Sequence, residues 1–386
     1  MENSNLNNIF GYIEGYYGNL LDWRSRKKII QKMREIGMNF YFYAPKEDIN
    51  HRLEWRKPYK KLWRNKFRTF CSFANSNNIE IIAGISPGLD FNFSSIKENN
   101  FNLSDDFDKL ISKFQALIDD GANHVALLLD DIPENFDKNF SKHEEGLIHA
   151  KLSNLLSKKL KRHIFLVPRI YADEMKKENM TYLNNLFQEL NKNTQIFYCG
   201  KYIVNNKFET SIDTIIEKKA NNKVIFWDNY YANDYCPKRL FLGPWLINDQ
   251  ENKKVMLNLT GMIETDLLLM EIASKCKFSK NKFKIWEQVL KKNQVPEDFM
   301  AIYKFFEKPS LTNDKKILKV NVDLNIFDKI EKLLWKWKTP LSREWYPYIL
   351  SLKQDLQILN DQLPSNRILK TQTNPIARKI LKNNGV

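Results

Sequence analysis

Eight short apolar runs recur over the first 260 residues, and most are followed by a longer stretch with helical spacing of its apolar positions. They fall at 9–14, 39–43, 80–85, 124–129, 164–167, 195–198, 223–227 and 255–257. VALLL, IFLV and VIFW are uninterrupted, as expected of parallel strands covered on both faces. Between the runs lie patterns such as RSRKKIIQKMREIG and DDFDKLISKFQALIDDG, which end at Gly37 and Gly121. A glycine directly after the last apolar-periodic residue marks a helix C-terminus. Eight alternations predict a (β/α)8 TIM-type barrel, an α/β fold closed on itself. The competing open doubly wound sheet lacks its GxGxxG signature here. The seventh unit is the weakest, because 230–249 reads as a long loop with only a short helix.

Beyond about residue 280 the strand-like runs stop. KIWEQVLKK, PEDFMAIYKFFEK, DLNIFDKIEKLLWKWK and REWYPYILSLKQDLQILNDQL all carry amphipathic helical spacing. The expected organisation is a barrel over 1–280 and a smaller all-helical region over 281–386, with no Gly/Ser linker between them. Trp335, Trp337, Trp345 and Tyr346 read as helix-packing anchors rather than as a sugar platform.

The chain has 61 basic and 46 acidic residues, a net +15. Its lysines are spread along the whole length with no dense basic run. The excess therefore reads as surface chemistry, and no nucleic-acid partner is expected. Cys71, Cys199, Cys236 and Cys276 lie far apart, with no CxxC pair and no histidine at ligand spacing. Neither a disulfide scaffold nor a metal is expected, which fits a reducing compartment. No apolar run approaches the roughly 20 residues of a membrane-spanning helix. The N-terminus has no basic-then-apolar leader pattern. A cytoplasmic protein, or one delivered without a classical signal peptide, is expected, with no membrane partner.

In a barrel of this kind the working residues gather at the C-terminal ends of the strands. Polar groups fall there repeatedly: Glu14-Gly15, Lys46, Ser86, Asp130-Asp131, Tyr171, Asp228-Asn229 and Asn258. The sharpest is LLLDDIP, an apolar strand ending in adjacent carboxylates. Two close carboxylates do not both ionise cheaply, so one keeps its proton to higher pH and can act as a general acid. A helix N-cap with a first-turn acid, or a metal pair, would also place two aspartates side by side.

The chain resembles glycoside hydrolase family 84, the O-GlcNAcases and related bacterial β-N-acetylglucosaminidases. The resemblance rests on GYIEGYYG (11–18), MNFYFYAPKEDINHR (38–52), ISPGLDFNFS (85–94), VALLLDDI (125–132), VIFWDNYYANDYCPKRLFLGPW (224–245) and VMLNL (255–259). These stretches stand in the family's order and cover most of 9–275. The resemblance implies a retaining glycosidase that needs no cofactor and removes terminal β-linked N-acetylglucosamine. In such an enzyme the substrate's own 2-acetamido oxygen attacks the anomeric carbon, and water then opens the resulting oxazoline. By residue, it implies that Asp130 orients the acetamido group and that Asp131 is the general acid and then base. Gly15, Lys46, Tyr171, Trp227, Asn229, Asp234 and Asn258 would be the sugar contacts. Cys199 would line the acetamido pocket, and Arg169 would stand near the pocket entrance.

The implied substrate is a GlcNAc-bearing glycoprotein, with O-GlcNAc on serine or threonine as the leading case. Hyaluronidase-like action on free glycans and an inactive GlcNAc-binding module are the alternatives.

Overall fold

The computed structural model describes residues 6, 8–97, 105–133, 144–178, 180–205, 223–247, 254–309 and 325–363. Its centre is a closed barrel of parallel strands: β1 (Phe10–Glu14), β2 (Phe40–Tyr43), β3 (Glu80–Ile85), β4 (His124–Leu128), β5 (Phe165–Val167), β6 (Gln195–Tyr198), β7 (Val224–Asp228) and β8 (Val255–Asn258). Each strand pairs with the next, and β8 closes onto β1 with Met256 opposite Gly11. The expected barrel closure is therefore what the chain adopts. The connecting helices are α1 (Trp23–Ile36), α2 (Lys61–Ser76), the single-turn α3 (Ser94–Lys97), α4 (Asp105–Asp119), α5 (Glu145–Leu160) and α6 (Met180–Glu189). Helix α1 illustrates the local logic. Asp22 caps its start by accepting the Ser25 N–H at 2.6 Å, and Gly37 ends it in the left-handed region at φ 76°.

Successive side chains on a strand point to opposite faces, and here that alternation decides what fills the barrel. Ile13, Phe40, Phe42, Ile82, Ala126, Leu128, Phe165, Val167, Phe197, Ile225, Trp227 and Met256 form one buried cluster drawn from all eight strands. Phe42 on β2 stacks on Phe197 on β6 across the barrel, at 4.8 Å between ring centroids. The Trp227 indole meets both rings edge-on at 5.9 and 5.8 Å. Burying each such ring contributes on the order of 2–3 kcal/mol. The other parity faces the helices: Glu14 on β1 is fully buried, bonded bidentately by Arg26 of α1 and by the Tyr41 hydroxyl of β2.

Compactness divides the chain into two units. One takes 1–205, 209–229 and 250–258, and so holds all eight strands; the other takes 206–208, 230–249 and 259–386. The second unit contains α7 (Ile263–Lys277), α8 (Lys282–Lys292), α9 (Asn325–Trp335) and α10 (Pro340–Leu359). Glu344 of α10 accepts the Glu264 and Thr265 backbone N–H groups at 3.0 and 2.7 Å. It thus sets a carboxylate on the positive end of the α7 dipole. Residues 230–247 contain neither helix nor strand. Their backbone is fastened inside this unit instead: Leu242 accepts from the Trp286 indole and donates to the Phe306 carbonyl, both at 2.6 Å.

One sequence expectation changes here. PEDFMAIYKFFEK forms two 3-10 turns, Glu297–Ala301 and Tyr303–Phe305, rather than an α-helix. Its backbone bonds run from each N–H to the carbonyl three residues earlier, as from Ile302 to Phe299 and from Phe305 to Ile302, which is the 3-10 pattern. Of the four aromatics assigned to helix packing, Trp345 and Trp337 are buried against each other at 5.4 Å, and Trp335, though 54% exposed, meets Tyr346 edge-on at 5.9 Å. Among the described residues no helix is long and apolar enough to cross a membrane.

Gly11 shares the inward parity of Ile13, and a Cβ there would overlap the Phe40 carbonyl and lie 2.7 Å from Met256 Cε. Gly11→Val is expected to cost at least about 2–3 kcal/mol through overpacking, read as a lower thermal midpoint than that of the parent protein.

Candidate active site

The parity that fills the barrel also sorts the polar strand ends. With Leu128 inward, Leu129 turns out and Asp130 turns in. Trp227 inward places Asn229 inward, and Met256 inward places Asn258 inward. Glu14 and Asp228, counted in the sequence among the residues of the mouth, fall on the outward parity. Glu14 is committed to Arg26. Two strand ends that look equivalent in sequence are thus separated by a single residue of register.

Asp130 and Asp131 sit next to each other in very different surroundings. The Asp130 side chain is 7% exposed and the Asp131 side chain 31%. Lys46, itself buried, bonds Asp130 Oδ2 and stands 3.6 Å from Asp131 Oδ2. Asp131 accepts the Tyr17 hydroxyl on Oδ2 at 2.9 Å and the Tyr171 hydroxyl on Oδ1 at 2.8 Å. Asp130 Oδ1 is buried and has no donor. Neither carboxylate caps a helix, since 131–133, directly after the pair, are not helical. The N-cap explanation of the pair is therefore set aside. Among the described residues no three His, Cys, Asp or Glu groups come together as metal ligands.

The backbone at the pair is unusual as well. Asp131 has φ 53°, in the left-handed region that a non-glycine residue enters at a cost of order 1–3 kcal/mol. Such a conformation persists only where surrounding bonds hold it. Arg52 Nη2 supplies one, to the Asp131 carbonyl at 2.8 Å.

Electrostatics pull the two acids apart. Burial raises the Asp130 pKa, and Asp131 adds to the rise, against the opposing pull of Lys46. Burial also works to raise Asp131, but Lys46, the two tyrosine hydroxyls and Arg52 together outweigh it and lower its pKa. Burial opposes the charge on Lys46, yet the two carboxylates hold its pKa above the ordinary lysine value. Burial pushes the Tyr17 hydroxyl up to about 12, against the pull of Lys46.

A second network continues from Tyr171 round the barrel. The Tyr171 carbonyl accepts the Cys199 N–H at 2.7 Å. Asn229 Nδ2 lies 3.6 Å from Cys199 Sγ and donates to the Ile203 carbonyl at 2.9 Å. Asn229 Oδ1 then accepts from both Trp227 Nε1 and Asn258 Nδ2, each at 2.9 Å. These partners leave one amide orientation for Asn229. Asn258 Oδ1 is buried without a donor. Gly15 closes the circle: a Cβ on it would lie 2.7 Å from the Trp227 indole, so only glycine permits this approach.

Gly15, Lys46, Asp130, Asp131, Tyr171, Cys199, Trp227, Asn229 and Asn258 therefore meet at one end of the barrel. Asp234 lies in the second unit, where its carboxylate accepts the Tyr235 N–H at 2.9 Å. Arg169 is a correction. It is buried and bonded bidentately to Glu145 of α5, so its charge is spent in the helix layer and not at a pocket entrance. Tyr17 and Arg52 belong to the site although no strand end marked them. Both lie inside the motif stretches, but only the folded loops show what they touch.

A closed parallel barrel with paired, unequal carboxylates at the C-terminal ends of its strands defines the class of molecule. The family model described as beta-N-acetylglucosaminidase matches residues 10–306, and the chain belongs to that family, the glycoside hydrolase family 84 of the motif resemblance. The mouse protein O-GlcNAcase is 30% identical over 246 residues, covering 61% of this chain and 26% of its own length. The rat protein O-GlcNAcase matches to the same extent. The chain thus spans about a quarter of the length of these curated relatives. Among solved structures, a variant of the Thermobaculum terrenum O-GlcNAc hydrolase superposes with a TM-score of 0.73 at 21% identity, over 91% of this chain and 82% of that one. At that identity the likeness speaks to the fold.

His51 backs this site from the β2 loop, with Nδ1–H donating to the Gly84 carbonyl at 2.8 Å. Burial first, then Lys46, pushes its pKa from 6.5 down to about 3. Burial does the same to His149, beside Arg169. Below pH 6.5 the unfolded chain binds protons that these native imidazoles refuse. Stability is therefore full above about pH 6.5 and lost as pH falls toward 3, by about 1.4 kcal/mol per pH unit for each histidine. Denaturant titrations between pH 6.5 and 4.5, before most carboxylates titrate, are expected to show this slope, and His51→Gln should remove about one histidine's share of it.

Proposed function

We propose that the protein is a retaining glycosidase that removes terminal β-linked N-acetylglucosamine by substrate assistance. The observation that carries the reading is the adjacent pair just after β4, with one carboxylate buried at the barrel's end and its neighbour opening toward solvent. In the first step the bound sugar's acetamido oxygen attacks C1, the C1–O bond to the leaving group breaks, and a protonated oxazoline forms, its N–H held by the Asp130 carboxylate. Asp130 accepts the acetamido N–H on its unoccupied oxygen and so raises the nucleophilicity of the carbonyl oxygen. Asp131 gives its proton to the departing oxygen. In the second step Asp131, now an anion, takes a proton from water as that water attacks C1. The sugar leaves with its β configuration, after two inversions.

Lys46, held at the pair, donates to ring hydroxyls. Trp227, Asn229, Tyr171 and Cys199 enclose the acetamido group, while Gly15 and Asn258 offer backbone and amide to the ring. No step asks for a cofactor. The leading substrate is O-GlcNAc on serine or threonine of proteins, supported by the likeness to the rodent O-GlcNAcases.

One observation favours the reverse assignment of the acids: in the ligand-free site Asp130 is the acid with the raised pKa and Asp131 the one with the lowered. Exposure supports the first assignment, since the more open Asp131 is the one with access to a bulky leaving group. A sugar that displaces water deepens the burial of Asp131 and draws Lys46, the largest influence lowering its pKa, toward ring hydroxyls, so the Asp131 pKa rises on binding.

Kinetics separate the two. Asp131→Asn is expected to lose 10²-fold or more on a substrate with a poor leaving group, about the scale of general-acid catalysis, and far less on an activated aryl glycoside. Asp130→Asn should slow both substrates comparably. Leaving-group dependence at Asp130 in place of Asp131 would exchange the roles.

Turnover of a 4-nitrophenyl β-N-acetylglucosaminide tests the reading as a whole. The matching glucoside, with hydroxyl in place of acetamido, is expected to be inert because it lacks the internal nucleophile. Equal turnover of the two would rule out substrate assistance, and binding without turnover would leave a sugar-binding module. Comparison of an O-GlcNAc peptide with chitobiose and hyaluronan fragments then identifies the acceptor class.

A further inference from the structure

We propose that Arg52 is a positioning residue for Asp131, holding its peptide directly and its carboxylate through Tyr17. The role assumed for Asp131 rests on the function proposed above; the bonds themselves do not.

Arg52 is buried on the β2 loop. Its Nη2 donates to the Asp131 carbonyl at 2.8 Å, and its Nη1 donates to the Tyr17 hydroxyl. That hydroxyl, with its acceptor lone pair engaged, turns its own proton onto Asp131 Oδ2 at 2.9 Å. The guanidinium also lies 5.7 Å from the centre of the Tyr17 ring. One planar cation therefore clamps two points of one aspartate, the backbone oxygen and the carboxylate, with a tyrosine as the second arm.

Four arginines are buried among the described residues, and Arg52 differs from Arg26 and Arg169 in having no carboxylate bonded to it and from Arg239 in having both Nη groups bonded. Arg26 is neutralised by Glu14, and Arg169 by Glu145. Arg52 has no carboxylate bonded to it among the described residues, and both of its bonds go to uncharged oxygens around Asp131. An arginine serving only to glue loops would gain more from a carboxylate of its own. Here the positive charge is left to act on Asp131, in the same direction as the hydrogen bond it organises.

The second observation is the left-handed backbone of Asp131, φ 53°. That conformation turns the residue after an inward Asp130 away from the outward direction that strand alternation would give it, and so lets adjacent acids both reach Lys46. The Arg52 bond to the Asp131 carbonyl acts on this peptide. Two consequences follow. Without Arg52 the peptide relaxes and the carboxylate loses its aim. The field and the tyrosine bond that favour the anion also weaken, so the carboxyl holds its proton to higher pH.

The test uses the whole chain with Arg52→Ala, Arg52→Lys and Tyr17→Phe, each checked for folding by its thermal transition. The primary readout needs no substrate: the pH titration of the Asp131 carboxyl carbon by NMR, its signal assigned by its loss in Asp131→Asn. Arg52→Ala is expected to raise the Asp131 pKa by about one unit, as for removal of a nearby cation. Tyr17→Phe should raise it in the same direction. Arg52→Lys, which keeps the charge but not the fork, should recover part of the shift.

In turnover, Arg52→Ala is expected to lower kcat at least tenfold on the poor leaving group and less on the aryl glycoside, with KM nearly unchanged. Its alkaline limb should move to higher pH. Folded Arg52→Ala and Arg52→Lys proteins in which Asp131 titrates as in the parent would overturn the proposal. A parent protein that turns over neither substrate, while the Asp131 titration still shifts in the variants, would remove the glycosidase reading and leave the positioning role standing.

Discussion

Closure of the barrel imposes a two-residue period on every strand, and the site depends on it. Once Phe42, Phe197 and Trp227 meet across the interior, the parity of each strand is set, because a slip of one residue would exchange its inward and outward faces. The same count carried a few residues further delivers Asp130, Cys199, Asn229 and Asn258 to the mouth. It sends Glu14 outward into the grip of Arg26. Core packing and site geometry are thus consequences of one register.

Asp131 is the exception to that period. Alternation alone would turn it away from Asp130, and its left-handed backbone reverses this. The cost of that conformation is met by bonds from three separate segments: Tyr17 after β1, Arg52 after β2, and Tyr171 after β5. The unequal electrostatics of the pair come from the same arrangement. One acid is buried beside a lysine and the other is ringed by donors, so adjacent residues of identical chemistry titrate in opposite directions from their ordinary value. An enzyme that needs one acid to orient and another to exchange a proton can be built from such a pair.

Much of this was legible in the chain. The eight strands lie within a residue or two of the apolar runs, since uninterrupted VALLL or VIFW has few other homes. The paired aspartates stand out because an apolar strand rarely ends that way. Other features were misread for identifiable reasons. Asp228 and Glu14 look like site residues to any reading that counts strand ends without counting parity. Arg169 looks like a pocket residue because Tyr171 is near in sequence, whereas its partner, Glu145, lies 24 positions earlier. PEDFMAIYKFFEK reads as a helix because its apolar spacing of three and four is shared between α and 3-10 geometry, and only the backbone bonds, which reach back three residues, separate them.

By itself the sequence determined the strand count, the closed parallel architecture and the family, through GYIEGYYG, YAPKEDINHR, LLLDDI and WDNYYANDY. These are local patterns, written in hydrophobic period and residue identity. Only the tertiary structure decided which strand-end side chains meet, that Tyr17 and Arg52 act on Asp131, and which way each carboxylate titrates. Those properties depend on burial and on distances between segments remote in the chain, and neither exists until the barrel has closed.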